Sequence, residues 1–130
     1  QAPDNHHAYN ALGYSLADRN IRLDEALSLV QRAATLAPHD PFIVDSLGWV
    51  YFRLGRYPDA VVQLERAAEL EPVDSEVNDH LGDAYWAVGR ILEAQFQWNR
   101  ALSFNPDTVK ADRIRRKIDI GLDAVLAEEG

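Results

Sequence analysis

Residues 41–74 read PFIVDSLGWVYFRLGRYPDAVVQLERAAELEPVD, and residues 75–108 repeat the same pattern of small, apolar and proline positions. Six residues recur 34 positions later: Leu47, Gly48, Tyr51, Ala60, Ala67 and Pro72 recur as Leu81, Gly82, Tyr85, Ala94, Ala101 and Pro106. A period of this length is typical of a solenoid, whose units bury their apolar faces only by stacking on neighbours. We therefore expect function on a surface that several units share.

The overall composition is that of a globular protein. The chain has 130 residues, of which 47% are hydrophobic and 26% are charged, which fits one domain with a real core. No apolar run approaches the roughly 18 residues of a membrane span, so we expect no direct membrane insertion. The absence of cysteine excludes disulfides and thiolate metal sites. Because the first residue is Gln1, we expect a fragment of a longer chain.

The net charge of −8 is unevenly distributed. Residues 109–130 hold five basic and five acidic groups, so the excess lies on residues 1–108, which hold 8 basic and 16 acidic groups. Nucleic acids and anionic membranes need a basic surface, and an acidic body argues against both as partners. The basic cluster Lys110, Arg113, Arg115, Arg116 and Lys117 alternates with Asp112 and Asp119. This pattern favours a solvated, internally paired face over a phosphate-binding patch.

Each unit is predicted to be a helix, a turn and a second helix. At the junctions, Asp40 and Asp74 can cap the next helix, and Pro41 at the first helical position loses no hydrogen bond. Gly55 and Gly89 mark the turns inside the units. The repeats are predicted at 6–40, with one inserted residue, 41–74 and 75–108, and a capping helix at 109–127. The fold is therefore expected to be an all-α, right-handed solenoid of three helical hairpins plus a C-terminal cap, with about seven helices.

Small residues at fixed positions predict how the two helices of a unit approach each other. Gly48 on the first helix and Ala60 on the second have almost no side chain, so the two backbones can come closer than a pair of leucines would allow. Gly13 and Gly82 occupy the equivalent position in the other units. We expect all three glycines to lie at the same place along the stack.

These positions resemble the tetratricopeptide repeat, whose pattern is W-x2-L-G-x2-Y, then A-x3-F, then P. The first unit contributes Tyr9, Leu12, Gly13, Leu16, Ala26, Val30, Ala33 and Pro38, and the other two match through the residues given above. The departures are the missing tryptophan at the fourth position, Leu16 for tyrosine, and the longer first turn. The runs at 10–18, 22–27 and 45–51 are similar to C-terminal repeats of bacterial multi-repeat proteins, some of them envelope lipoprotein adaptors. That similarity favours the cell envelope over the cytoplasm.

The resemblance implies a concave groove lined by the first helices of successive units. Carried onto this chain, the expected peptide-binding residues are Asn10, Tyr14, Asp45, Trp49, Phe52, Arg53, Glu76, Asp79, Asp83 and Trp86. Aromatic side chains at a partly exposed site supply contact area, and carboxylates beside them select cationic partners. We expect a scaffold or adaptor that binds a basic or mixed apolar-basic segment of another protein.

Other interpretations of this surface stay open. The aromatic side chains can pack beneath a neighbouring helix and the acids can form a solvated face, which would leave a structural segment without a ligand. The exposed flank of the first repeat can pair two copies of the chain. The variant of the family that grips acidic chaperone tails needs Lys and Asn where this chain has Asn10, Tyr14, Trp49 and Asp79, so that role is not expected.

The sequence predicts no enzyme, cofactor or metal. Glu76, Asp79 and Asp83 share one helical face, but the adjacent His80 points about 100° away from Asp79. No zinc-protease motif, calcium loop or glycine-rich phosphate loop is present. His6 and His7 are predicted to be an exposed helix start rather than a pair of metal ligands.

Overall fold

The computed structural model describes residues 5–130, and within that range it contains eight helices and no strand. The helices are α1 (His6–Asp18), α2 (Leu23–Leu36), α3 (Pro41–Arg53), α4 (Tyr57–Leu70), α5 (Ser75–Ala87), α6 (Ile91–Ser103), α7 (Thr108–Ile120) and α8 (Leu122–Glu129). None of these helices is long and apolar enough to cross a lipid bilayer.

The helices form three hairpins that stack in chain order. Helices α1 and α2, α3 and α4, and α5 and α6 pack mainly against each other, and α2 contacts α3 as α4 contacts α5. The first helices of the hairpins also touch directly, α1 against α3 and α3 against α5. The predicted all-α solenoid of helical hairpins is confirmed, and the three first helices share one concave face.

The predicted capping and turn residues lie at the ends of the helices. The Asp40 carboxylate accepts a hydrogen bond from the Phe42 amide at 2.9 Å, and the Asp74 carboxylate accepts one from the Val77 amide at 2.9 Å. Gly55 adopts φ +80° in the turn of the second hairpin, a conformation that side chains disfavour. These contacts satisfy backbone groups that a bare helix end would leave unpaired.

The three equivalent glycines mark the closest approach within each hairpin. A Cβ atom at Gly13 would lie 2.5 Å from Val30, one at Gly48 would lie 2.6 Å from Leu64, and one at Gly82 would lie 2.4 Å from Trp98. No side chain fits at these distances, so the predicted role of the small residues is confirmed.

The prediction of one capping helix at 109–127 is wrong, because the cap consists of two helices. Gly121, at φ +88° and ψ 156°, ends α7 and precedes α8. That conformation is nearly restricted to glycine, and a Cβ there would lie 2.6 Å from the Trp86 ring. Asp107 caps α7, because its carboxylate accepts a hydrogen bond from the Lys110 amide at 2.9 Å. The break turns α8 back along α7 towards the concave face.

Candidate functional site

The first helices and the cap together enclose a cavity of about 240 Å³ on the concave face. Seven of the ten expected groove residues line it: Tyr14, Trp49, Phe52, Arg53, Glu76, Asp79 and Asp83. Asn10 and Asp45 line an adjoining cavity of about 220 Å³ that shares Tyr14 and Glu76 with the first. Trp86 lines neither cavity, because its ring packs against Gly121.

The aromatic set is less exposed than predicted. The Trp49 ring stacks between Phe52, at a centroid distance of 4.9 Å, and His80, at 4.0 Å, and it is only 6% exposed. The Arg53 guanidinium lies 4.8 Å from the Trp49 ring and donates to the Ala17 carbonyl at 3.0 Å. Trp49 is therefore a core residue, and the half-buried Phe52 carries most of this stack's exposed aromatic surface.

Asp45 was expected in an exposed acid set, but it is buried against His80. The Nδ1 atom of His80 lies 3.0 Å from the Asp45 carboxylate, and its Nε2 atom lies 3.8 Å from Glu76. Burial acts to lower the pKa of His80, but the charge and hydrogen bond of Asp45, with Glu76 and Asp79, raise it to about 9. The imidazole is therefore a buried cation at neutral pH.

Asp83, also expected at the surface, belongs to a buried cluster around Lys117. The Lys117 ammonium is fully buried and donates to Asp79 at 2.6 Å and to Asp83 at 2.8 Å. Trp98 Nε1 donates to the same Asp83 oxygen at 3.0 Å. Burial acts to lower the pKa of Lys117, but the two carboxylates raise it overall, whereas burial and the charge of Asp83 raise the pKa of Asp79. This lysine clamp fastens α7 to α5.

Glu76 joins the first repeat to the cap. The Tyr14 hydroxyl donates to one Glu76 oxygen, and the Lys110 ammonium lies 3.5 Å from the other. Burial acts to raise the pKa of Glu76, but the charge of His80, the Tyr14 hydroxyl and Lys110 lower it overall. Burial and the bond to Glu76 raise the pKa of Tyr14. The four expected acids thus all have a cation or donor beside them.

The three arginines of α7 are paired, but only Arg115 uses one of the predicted acids of the same helix. Arg113 Nε donates to Glu129 of α8 at 2.6 Å, Arg116 pairs with Glu128, and Arg115 pairs with Asp112 at 3.0 Å. Lys117 is the exception, because it is buried rather than part of this solvated face.

Sequence reasoning missed His80 and Lys117 because their partners lie in other units. His80 points away from Asp79, as expected, but that direction leads to Asp45 in the preceding repeat. Its position, 35 residues after Asp45, is nearly one repeat period and could have indicated the contact. Lys117 lies three residues after the buried Ile114, on the apolar stripe of α7, and this placement could have indicated its burial.

Among residues 5–130, one group has the side chains of a metal site: His6, His7 and Asp40, whose ligand atoms lie within 4.8 Å of one another. Imidazole and carboxylate groups suit zinc. One Asp40 oxygen is already used to cap α3, and His7 is exposed at the start of α1, as expected.

The comparisons with known proteins agree with the repeat pattern. The family model of the tetratricopeptide repeat matches residues 1–41 and 46–108. A TPR repeat-containing protein of Pseudomonas aeruginosa, PA4667, is 53% identical over 58 residues, which are 45% of this chain and 10% of that protein. The chain thus matches only a tenth of the length of this relative.

Three solved structures share the fold. The first TPR of Spaghetti (RPAP3), bound to the HSP90 peptide SRMEEVD, has a TM-score of 0.76 at 21% identity, covering 94% of this chain and 96% of that one. The Sgt2 TPR domain of Aspergillus fumigatus has a TM-score of 0.79 at 19% identity, covering 100% and 85%. The secretion chaperone SycD of Yersinia enterocolitica has a TM-score of 0.75 at 16% identity, covering 98% and 96%. The repeat pattern, the stacked hairpins and the family match agree, and the chain belongs to the tetratricopeptide repeat family.

Proposed function

We propose that this chain is a non-enzymatic protein-interaction module that binds a segment of a partner protein in its concave groove. The observation that carries the proposal is the cavity of about 240 Å³ that three successive hairpins and the cap build on this face. A concave site with an aromatic surface and a few convergent polar groups is the usual form of a binding site. The RPAP3 domain of the same fold has been solved with a bound peptide, which supports a peptide as the kind of ligand.

The exposed groups around the cavity suggest what the partner offers. Phe52 presents half-buried aromatic surface, and an apolar side chain packed there would anchor the segment at low entropic cost. Asp45 and Asp83 are buried, so the acidic character that would select a basic partner is reduced to Glu76 and Asp79, which are already paired. The Asp18 side chain, 57% exposed at one edge and 4.0 Å from the Arg53 guanidinium, is the most exposed carboxylate that lines the cavity.

Two polar atoms on the concave helices are buried without a hydrogen-bond partner: Asn10 Oδ1 and Trp49 Nε1. Unpaired buried polar atoms are costly and are uncommon in native proteins. Both residues belong to the expected binding set, and a segment that shifts the side chains covering them would gain two hydrogen bonds. Among residues 5–130, a third such atom, Gln97 Oε1, lies on the second helix α6, so two of these three unpaired atoms lie on the concave helices.

The runner-up is a structural or self-associating segment. Leu122 and Leu126 of α8 line the same cavity, so the chain itself fills part of the groove. Leu12 on α1 is 51% exposed and offers apolar surface for a second copy. Analytical ultracentrifugation separates the two functions, because self-association through the first repeat requires a dimer that Leu12→Lys disrupts.

The proposal is tested by selecting 12-residue peptides from a display library on the immobilised domain and measuring their affinity by calorimetry. Phe52→Ala should weaken the selected peptides at least tenfold. The matched control is Phe96→Ala on α6, which removes a phenylalanine that is 60% exposed and does not line the concave cavity. The concave groove is not the binding surface if the selected peptides bind Phe52→Ala and the unmodified chain with equal affinity. The same conclusion follows if they lose affinity only for Phe96→Ala.

A further inference from the structure

Helix α8 lies inside the groove that is proposed to bind a partner. Its first side chain, Leu122, is 3% exposed and belongs to a core cluster against which Phe52 and Trp86 pack. Val125, one turn later, is also buried, and Leu126 lines the concave cavity. Leu122 and Leu126 thus line the same cavity as Phe52, and Gly121, just before α8, lies against the Trp86 ring.

The attachment of α8 to the rest of the fold is limited. It has eight residues, far fewer than an isolated helix needs to be stable in water. A single residue, Gly121, joins it to α7. Its Glu129 and Glu128 pair with Arg113 and Arg116 through side chains that are 38–51% exposed, and such exposed pairs bind weakly. Its helical state therefore depends mainly on the seat that the groove provides for Leu122 and Val125.

We infer that α8 is a tethered internal ligand, and that the partner of the groove is a short amphipathic helix of the same chemistry. The inference rests on the proposed function. The seated helix shows what this surface accepts: a residue without a side chain against Trp86, aliphatic residues at the spacing of Leu122, Val125 and Leu126, and carboxylates one turn further on. Recognition of an amphipathic helix through residues at i, i+3 and i+4 is an established mode of binding.

The charges of α7 complement the acidic end of such a helix. When α8 is displaced, Arg113 and Arg116 lose Glu129 and Glu128, and they become available to carboxylates of the incoming segment. Charge pairing of this kind fixes the direction in which a segment enters a groove. The partner helix should therefore enter with its acidic C-terminal turn over the Arg113 and Arg116 pair.

The tether sets a threshold for binding. A short flexible connection holds its ligand at an effective concentration in the millimolar range. A partner helix must outcompete α8 at that concentration, so weak ligands are excluded from the part of the groove that α8 covers. A change that releases α8 should therefore raise the affinity of every ligand of this seat by the same factor.

The test uses the full chain carrying Val125→Asp, which places a carboxylate in the buried seat and should release α8. The probe is the acetylated peptide GLDAVLAEEG, which has the sequence of residues 121–130. We expect saturable binding to Val125→Asp, followed by the indole N–H signals in nuclear magnetic resonance spectra, with a Kd of about 0.1 mM or lower, because a tenfold block by a tether at millimolar effective concentration requires a Kd about tenfold below that concentration. Binding to the unmodified chain should be at least tenfold weaker, and Trp86→Ala in the Val125→Asp background should abolish it.

Two controls keep the test decisive. Val109→Asp introduces the same charge on α7 at a residue that is 79% exposed and should leave peptide binding at the unmodified level. If Val125→Asp does not fold, Glu128→Arg combined with Glu129→Arg releases α8 by repulsion from Arg113 and Arg116 without changing the core.

Three results would overturn the inference. The first is equal binding of the probe peptide to the released and unmodified chains, and the second is no binding to either released variant. The third is a concentration-dependent dimer that disappears in Val125→Asp, because α8 would then be exchanged between two copies of the chain. Library peptides that bind through Phe52, with no change in Val125→Asp, would leave the proposed function intact while this inference fails.

Discussion

Replacing Lys117 by methionine tests the clamp between the cap and the third repeat. Methionine is similar in length but uncharged, so Lys117→Met removes the cation that lies 2.6 Å from Asp79 and 2.8 Å from Asp83. The buried Asp83 and the partly buried Asp79, whose side chains are 3% and 18% exposed, then lose the cation that they share. Removing one partner from a buried ion pair costs about 3–5 kcal/mol, a large part of the 5–15 kcal/mol that usually stabilises a domain.

The assay is urea denaturation followed by circular dichroism, with Lys110→Met as the matched control. Lys110 also lies on α7 and pairs with a carboxylate of α5, Glu76, but its side chain is 58% exposed, so its loss should cost less than about 1 kcal/mol. The deficit of Lys117→Met should shrink as the pH falls, because burial and Asp83 raise the pKa of Asp79 and a protonated carboxyl needs no counterion. Equal losses in the two variants, or a deficit that grows in acid, would refute this reasoning.

The remaining predictions concern His80 and the glycines. The pKa of His80 is raised to about 9 in the folded state from about 6.5 in the unfolded state. The stabilisation by protonated His80 is therefore complete below pH 6.5 and is lost as the pH rises through 9, by about 1–3 kcal/mol. His80→Gln should flatten the dependence of the melting temperature on pH in this range, and an unchanged slope would contradict the prediction. Gly121→Ala should lower the free energy of unfolding by about 1–3 kcal/mol and change Trp86 fluorescence. Gly55→Ala should lower it by less, because Gly55 has a similar φ but nothing within 4 Å of the added Cβ. Equal losses of unfolding free energy in the two variants would count against the contact with Trp86. Gly48→Leu should overpack its hairpin and cost about 1–3 kcal/mol, and an unchanged melting temperature would show that the close approach is not needed.

Much of the fold could be predicted from the sequence because it depends on contacts between residues that are close in the chain and on a pattern that repeats at a fixed period. Asp40 and Asp74 cap helices from adjacent positions, Gly55 lies in the turn itself, and Gly48 packs against Leu64, 16 residues later in the same hairpin. Each of these features depends on residues close in sequence. Repetition at a fixed period then supports the same conclusion in successive units.

The groove's electrostatics could not be predicted in the same way, because its ion pairs join different units. Carrying over family positions placed Asp45 and Asp83 on the concave face, but did not show that His80 and Lys117 would bury and neutralise them. The prediction of a single capping helix was wrong for a different reason. Gly121 lies inside the predicted helix 109–127, and only the proximity of Trp86, 35 positions earlier, shows that a side chain is excluded there.

The claim that the concave face is the binding surface is tested most directly through the chain's three tryptophans. Their indole N–H signals can be followed while a library-selected peptide is titrated into labelled protein. Trp49 lines the cavity and Trp86 packs against Gly121 just before α8, whereas Trp98 is fully buried against Gly82 and Asp83. If the peptide binds on the concave face, the Trp49 signal should move first and furthest, and the Trp98 signal should move least. Saturable binding that leaves Trp49 and Trp86 unmoved would contradict this claim.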